Sequence, residues 1–196
     1  MPREEQQMTM TDLATRDGLP DALRVLLEQY PRDAWEADPN FSGLIRFWLE
    51  RHLMFRRLLA GMQDDLQKRL DTDIDAKTHA ARLSRFGGMF LNELHGHHSI
   101  EDQHYFPKLV ALDTRLGRGF DILDRDHHAI DGHLHDFATA ANALIQSTMA
   151  GEEDKDSAAG MEKVLATSER FLNRHLEDEE DLVVPILLKF APAGLV

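Results

Sequence analysis

The sequence predicts an all-α protein: an up-down-up-down four-helix bundle with a short N-terminal helical extension. Three observations predict it. Apolar residues recur at three- and four-residue spacing through most of the 196 positions, and β-branched runs nowhere alternate with polar residues. Short polar or Gly-containing breaks near residues 74, 113 and 151 cut this pattern into four long stretches, and short connections make neighbouring helices antiparallel. Each stretch carries an apolar seam that is broken at one level by His or by His with Glu.

The first helix is expected over about 41–70, entered from Asp38-Pro39-Asn40, with a seam of Ile45, Trp48, His52, Phe55, Leu59, Met62 and Leu66. The second, about 75–106, presents Leu83, Gly87, Phe90, Leu94, His97, Glu101 and His104, although Gly87, Gly88 and Gly96 each weaken a helix by about 1 kcal/mol relative to Ala. After the break at Leu116-Gly117-Arg118-Gly119, the third covers about 118–149 and presents Phe120, Leu123, His127, Ile130, Leu134, Phe137, Ala141 and Leu144. The fourth, about 156–189, presents Met161, Val164, Ser168, Phe171 or Leu172, His175, Glu179, Leu182 and Ile186. Residues 1–40 read as an extension packed on a bundle of residues 41–190, with a short helix over Leu19 to Leu27 and with Tyr30 and Trp35 as packing groups.

The bulk properties narrow the function. A formal charge of -13 and the lack of any Lys/Arg run argue against nucleic-acid and anionic-membrane partners. The longest apolar run, Leu182 to Leu188, is interrupted by Pro185 and is too short to span a bilayer. Met1 to Gln7 lacks the charged-then-apolar order of a signal peptide, so a cytoplasmic location is expected. Without cysteine there is no thiolate site, and a bound metal would be held by His and carboxylate, donors that suit iron or manganese.

One pattern occurs twice. His97-x3-Glu101-Asp102 is followed by Phe106-Pro107, and His175-x3-Glu179-Glu180 by Val184-Pro185, so each copy has Glu at +4 from His, a second acid at +5, an apolar residue at +9 and Pro at +10. Residues four apart share a helix face, so each pair aims an imidazole and a carboxylate at one point. Counting from the turns puts His52 and His97 level, and likewise His127 and His175, so six groups meet in one layer: His52, His97, Glu101, His127, His175 and Glu179. Four neutral imidazoles and two carboxylates satisfy two divalent cations, with two His per metal, the two Glu bridging, and positions left for an oxo or hydroxo bridge and an outside ligand. The competing reading is a metal-free bundle whose core histidines are satisfied by the glutamates and which acts in protein association.

These residues, with Arg51-His52-Leu53-Met54-Phe55-Arg56-Arg57-Leu58-Leu59 on the first helix and the prolines after both His-x3-Glu blocks, resemble the hemerythrin-like (HHE cation-binding) domain over about residues 41–190. The resemblance implies a four-helix bundle holding two iron ions, bridged by the two glutamates and an oxygen atom. It also implies a small ligand such as dioxygen, peroxide or nitric oxide, and a role as carrier or store, sensor, or detoxifying enzyme. The sequence departs from oxygen-carrying hemerythrins on the third helix, where the position four after His127 holds Asp131 rather than a second His. Two roles are open to Asp131, as a ligand or as a hydrogen-bond partner of one. Beside the main set, His98 adjoins His97, and Glu101-x-x-His104 has the spacing of a ferritin-like di-metal oxidase, though without a second copy. His79, His95, His133 and His135 read as solvated or rim residues, and the acidic run Glu177–Asp181 as a solvated face with Glu179 turned inward.

Overall fold

Leu, Met, Ala, Arg, Gln and Glu fill the four periodic stretches, and these straight-chain residues lose little freedom in a helix. A computed structural model describes residues 12–152, 154–192 and 195; Met1 to Gln7 and Glu153 of the last turn lie outside the described residues. The helices are α1 (Gly43–Leu70), α2 (Ala76–Ile100), α3 (Phe106–Leu112), α4 (Gly117–Ala150) and α5 (Lys155–Phe190), and no strand occurs among the described residues. A five-residue π-helical turn, Glu101–Tyr105, joins α2 to α3, and a 3-10 turn, Thr114–Leu116, leads into α4. The chain is an all-α four-helix bundle in which α2, the π turn and α3 together form the second rod. Among the described residues, no helix is long and apolar enough to cross a membrane.

The turns are built locally. At the end of α1, Thr72 adopts a φ of 64° and its N–H donates to the Arg69 carbonyl, while Asp73 N–H donates to Lys68. Gly151, at φ 71°, ends α4 in the left-handed region that glycine tolerates best. Asp113 caps the turn between α3 and α4 by accepting from the Arg115 backbone N–H, and its carboxylate also holds the Arg115 guanidinium and Lys189. The chain therefore breaks at Asp113 rather than at the glycines. Gly117 and Gly119 lie inside α4, and a Cβ on Gly119 would come within 2.8 Å of Leu182, so glycine there permits a close approach of α4 to α5.

The chain divides into two compact units. One, Leu53–His97 with Ala129–Leu172, has a core that includes Phe55, Leu59, Met62, Leu83, Phe90, Phe137, Leu144, Met161 and Leu165. Phe90 and Phe137 pack at 5.4 Å, and Gly87 admits the Phe137 ring, to which a Cβ would come within 3.2 Å. His79 is buried in this unit and is not a solvated residue; helical phase turns it inward beside Ala80 and Leu83.

The other unit comprises Met1–His52, His98–His128 and Asn173–Val196. Its core joins Leu19, Leu23, Leu26 and Trp35 to Ile45, Trp48, Phe106, Leu109, Phe120, Leu123 and the run Leu182–Leu188. The segment before α1 is not an α-helix over Leu19 to Leu27. It makes 3-10 turns at Asp21–Leu23 and Arg32–Ala37, each entered by a proline, and the Trp35 indole N–H closes onto the Tyr30 carbonyl at 2.7 Å.

The acidic run on α5 is a correction to the sequence reading. Asp178, Glu179, Glu180 and Asp181 are all buried. Four successive helical residues point to every side, so burial of all four requires cover on the outward face as well. The segment before α1 supplies it with two arginines. Arg16 pairs through both terminal nitrogens with Asp126 on α4 and through Nε with Asp178 at 2.7 Å. Arg32 donates to Asp181 at 2.7 Å, to Glu180 at 2.8 Å and to the Glu177 carbonyl.

Breaking a buried pair from one side leaves an uncompensated charge, which costs about 3 kcal/mol or more. Arg16→Met, which keeps the stem and removes the charge, is expected to lose about 3 kcal/mol in urea unfolding, whereas Arg32→Met, whose side chain is 43% exposed, loses about 1 kcal/mol or less. A second expectation concerns pH. Burial, followed by the nearby Arg69 guanidinium, lowers the His79 pKa from its ordinary value of 6.5. The unfolded chain then binds the proton more readily than the folded one, so stability falls as pH drops below about 6.5. His79→Phe should reduce the stability lost between pH 7 and pH 5.5 when both proteins are unfolded by urea in the same metal-free state.

Candidate metal centre

The π turn sets the register of the central side chains. An uninterrupted α-helix from Glu101 would return to the seam at His104 and Tyr105. The wider turn inserts an extra residue, so the inward positions after Glu101 become Phe106 and Leu109, both buried, while His104 is exposed and Tyr105 half-buried against Trp48 at 5.0 Å. His104 therefore leaves the seam, and Glu101-x-x-His104 does not form a ferritin-like pair.

Of the six sequence-predicted groups, His52, Glu101, His127, His175 and Glu179 are buried within the unit that carries the arginines. His97, half-buried, ends the Leu53–His97 segment of the other unit, and its ring lies 5.2 Å from Phe55. Its neighbour His98 is the more deeply buried of the two. His98, His127 and His175 each offer a nitrogen, and these atoms all lie within 4.8 Å of one another. His52, Glu101 and Glu179 meet the same distance with one nitrogen and two oxygens. Asp131 joins neither group: its side chain is 57% exposed and stands 3.9 Å from His95 at the surface.

Three of the inward imidazoles are held from behind by a carboxylate. His52 Nδ1 lies 3.0 Å from Glu180, His127 Nδ1 lies 2.8 Å from Asp102, and His175 Nδ1 lies 3.3 Å from Asp126. A carboxylate accepts the Nδ1 proton, which fixes the tautomer and leaves the Nε2 lone pair facing inward. Three inward nitrogens then meet acceptors. His127 Nε2 and His175 Nε2 face each other at 3.2 Å, His175 Nε2 lies 3.4 Å from Glu179, and His52 Nε2 lies 3.4 Å from the other Glu179 oxygen. Glu101 lies 3.7 Å from His127 Nε2, and the Trp48 indole N–H donates to Glu179.

The orienting carboxylates were partly legible. Asp102 and Glu180 are the +5 acids of the repeated pattern, whose place was visible but whose task was not. Asp126 had no signal beyond preceding His127, and Arg16 and Arg32 had none.

So many acceptors facing one another call for a cation. Burial opposes charging His175, but hydrogen bonds to Asp126 and Glu179 outweigh it and push its pKa up to about 9. Burial likewise opposes charging His52, yet Glu179 and Glu180 raise it. Glu101 is raised well above the usual carboxylate range, first by burial and then by the charge of Glu179. Asp126 goes the other way: burial would raise it, but Arg16 and His175 hold it lower, as an anion. Protons in this form of the chain occupy the places that a metal cation could take.

The chain matches the family described as the hemerythrin HHE cation binding domain over residues 43–187. No curated protein and no solved structure gives a match. The match covers most of α1 to α5, including both His-x3-Glu blocks, and stops short of the segment that carries Arg16 and Arg32. This chain belongs to the hemerythrin HHE cation-binding family.

Proposed function

We propose that the chain is a cytoplasmic di-iron protein that binds dioxygen, or a related small ligand such as peroxide or nitric oxide, for storage, sensing or redox detoxification. The observation that carries this reading is the pair of imidazoles on His127 and His175. Both have Nδ1 within hydrogen-bond reach of a carboxylate and both turn Nε2 toward the other at 3.2 Å, a contact held by a proton in the metal-free chain and one whose place a cation could take. The donor set fits iron: imidazole nitrogens and carboxylate oxygens, with no thiolate.

In this reading His52, His97, His127 and His175 are terminal ligands, and Glu101 and Glu179 bridge. When bound, two ferrous ions would supply electrons and an open coordination position for the small ligand. The chain's own groups do the rest. Asp102, Asp126 and Glu180 hold the imidazole tautomers, the Trp48 N–H steadies one Glu179 oxygen, and Phe106, stacked 5.5 Å from His127, helps to exclude water.

Two outcomes test this. Anaerobic loading with ferrous iron is expected to give about two irons per chain, with new near-ultraviolet absorption on exposure to air; no iron above background would overturn the reading. Glu101→Gln separates the metal role from a structural one. Because folding raises the Glu101 pKa, the folded chain binds that proton more readily than the unfolded one, so Glu101 contributes stability at acid pH that is lost as pH rises past about 4.5. The neutral amide escapes this loss. The metal-free variant should therefore melt higher than the metal-free parent at pH 7 while binding less iron. A bridging role is refuted by unchanged iron content in both Glu101→Gln and Glu179→Gln.

A further inference from the structure

The structure buries one more imidazole among the candidate donors than the four, His52, His97, His127 and His175, that the helical seams supply. Asp131, four residues after His127, lies at the surface beside His95, so α4 delivers a single inward imidazole. The third member of the all-imidazole group comes instead from α2. The His98 ring lies over that of His127 with centroids 4.0 Å apart and planes within 10°, and it meets the His175 ring edge-on at 5.3 Å. Adjacent helix residues are turned by about 100°, so His97 and His98 aim at two different points while Glu101, one turn on, lies between their directions. The second rod can thus serve both groups from consecutive residues.

We propose that His98 is a metal ligand, completing with His127 and His175 a three-nitrogen face for one of two cations. This rests on the di-metal reading above and makes the two positions chemically unequal. One has three imidazoles and favours a borderline divalent ion such as Fe(II), Co(II) or Zn(II); the other depends more on the carboxylates and tolerates harder ions.

The test is anaerobic titration of the full-length chain with Fe(II) and, separately, with Co(II), comparing the parent with His98→Ala and His98→Gln. Both variants are expected to keep one ion near parental affinity and to bind the second at least tenfold more weakly. Co(II)-loaded parent should show a paramagnetically shifted imidazole N–H resonance that correlates with the His98 ring, a signal that needs no substitution and is independent of how well the variants fold. Two ions bound with unchanged affinity in both variants, or an unshifted His98 ring in the Co(II)-loaded parent, overturns the assignment of His98 and leaves the di-metal reading standing. A parent that binds neither ion overturns both.

Discussion

Neutralising buried acid is the constraint around which the arginine-bearing unit is arranged. Asp178, Glu179, Glu180 and Asp181 form one full turn of α5 with no side left for water, and Glu101 and Asp126 are buried with them. An unpaired buried carboxylate would protonate, so each must find a cation or a strong donor. The solution is sorted by direction. Acids pointing away from the centre meet arginine, Arg16 for Asp178 and Asp126 and Arg32 for Glu180 and Asp181. Glu101 and Glu179 point inward, where the neighbours are imidazoles and the compensating charge is a proton or a metal.

Two of these acids work in both directions. Asp126 accepts from Arg16 on one side and from His175 on the other, and Glu180 does the same between Arg32 and His52. At Asp126 the arginine keeps the carboxylate ionised, the ionised carboxylate holds the Nδ1 proton of His175, and the imidazole is left with a basic Nε2. Positive charge at the periphery thus makes the centre more attractive to a cation, not less, because it is transmitted through an anion.

The fold class was legible because apolar spacing and turn residues agreed along the whole chain. On α1 the expected seam from Ile45 to Leu66 is buried at every position. Legibility failed where a local irregularity or a distant segment decided the outcome. The π turn cannot be read from periodicity, which assumes one period throughout, and it moved His104 out and Phe106 in. Glu177–Asp181 looked like a solvated face because composition does not reveal that residues more than 140 positions away will cover it. The orienting role of the +5 acids was hidden for a related reason, since each serves a histidine on a different helix.

The span of those arginine contacts bears on the order of folding. Arg16 reaches Asp126 across 110 residues and Asp178 across 162, whereas the backbone hydrogen bonds of α1 to α5 join residues about four apart. Closing a loop that spans most of the chain is slow compared with forming helices and hairpins of helices. The helices can therefore come together before His175 has its ionised partner, and such an early bundle would present a looser set of imidazoles. The oriented set of imidazoles would then be completed last, when the N-terminal segment docks, so that a cation met by the nascent chain is held loosely and can still exchange before the finished centre forms.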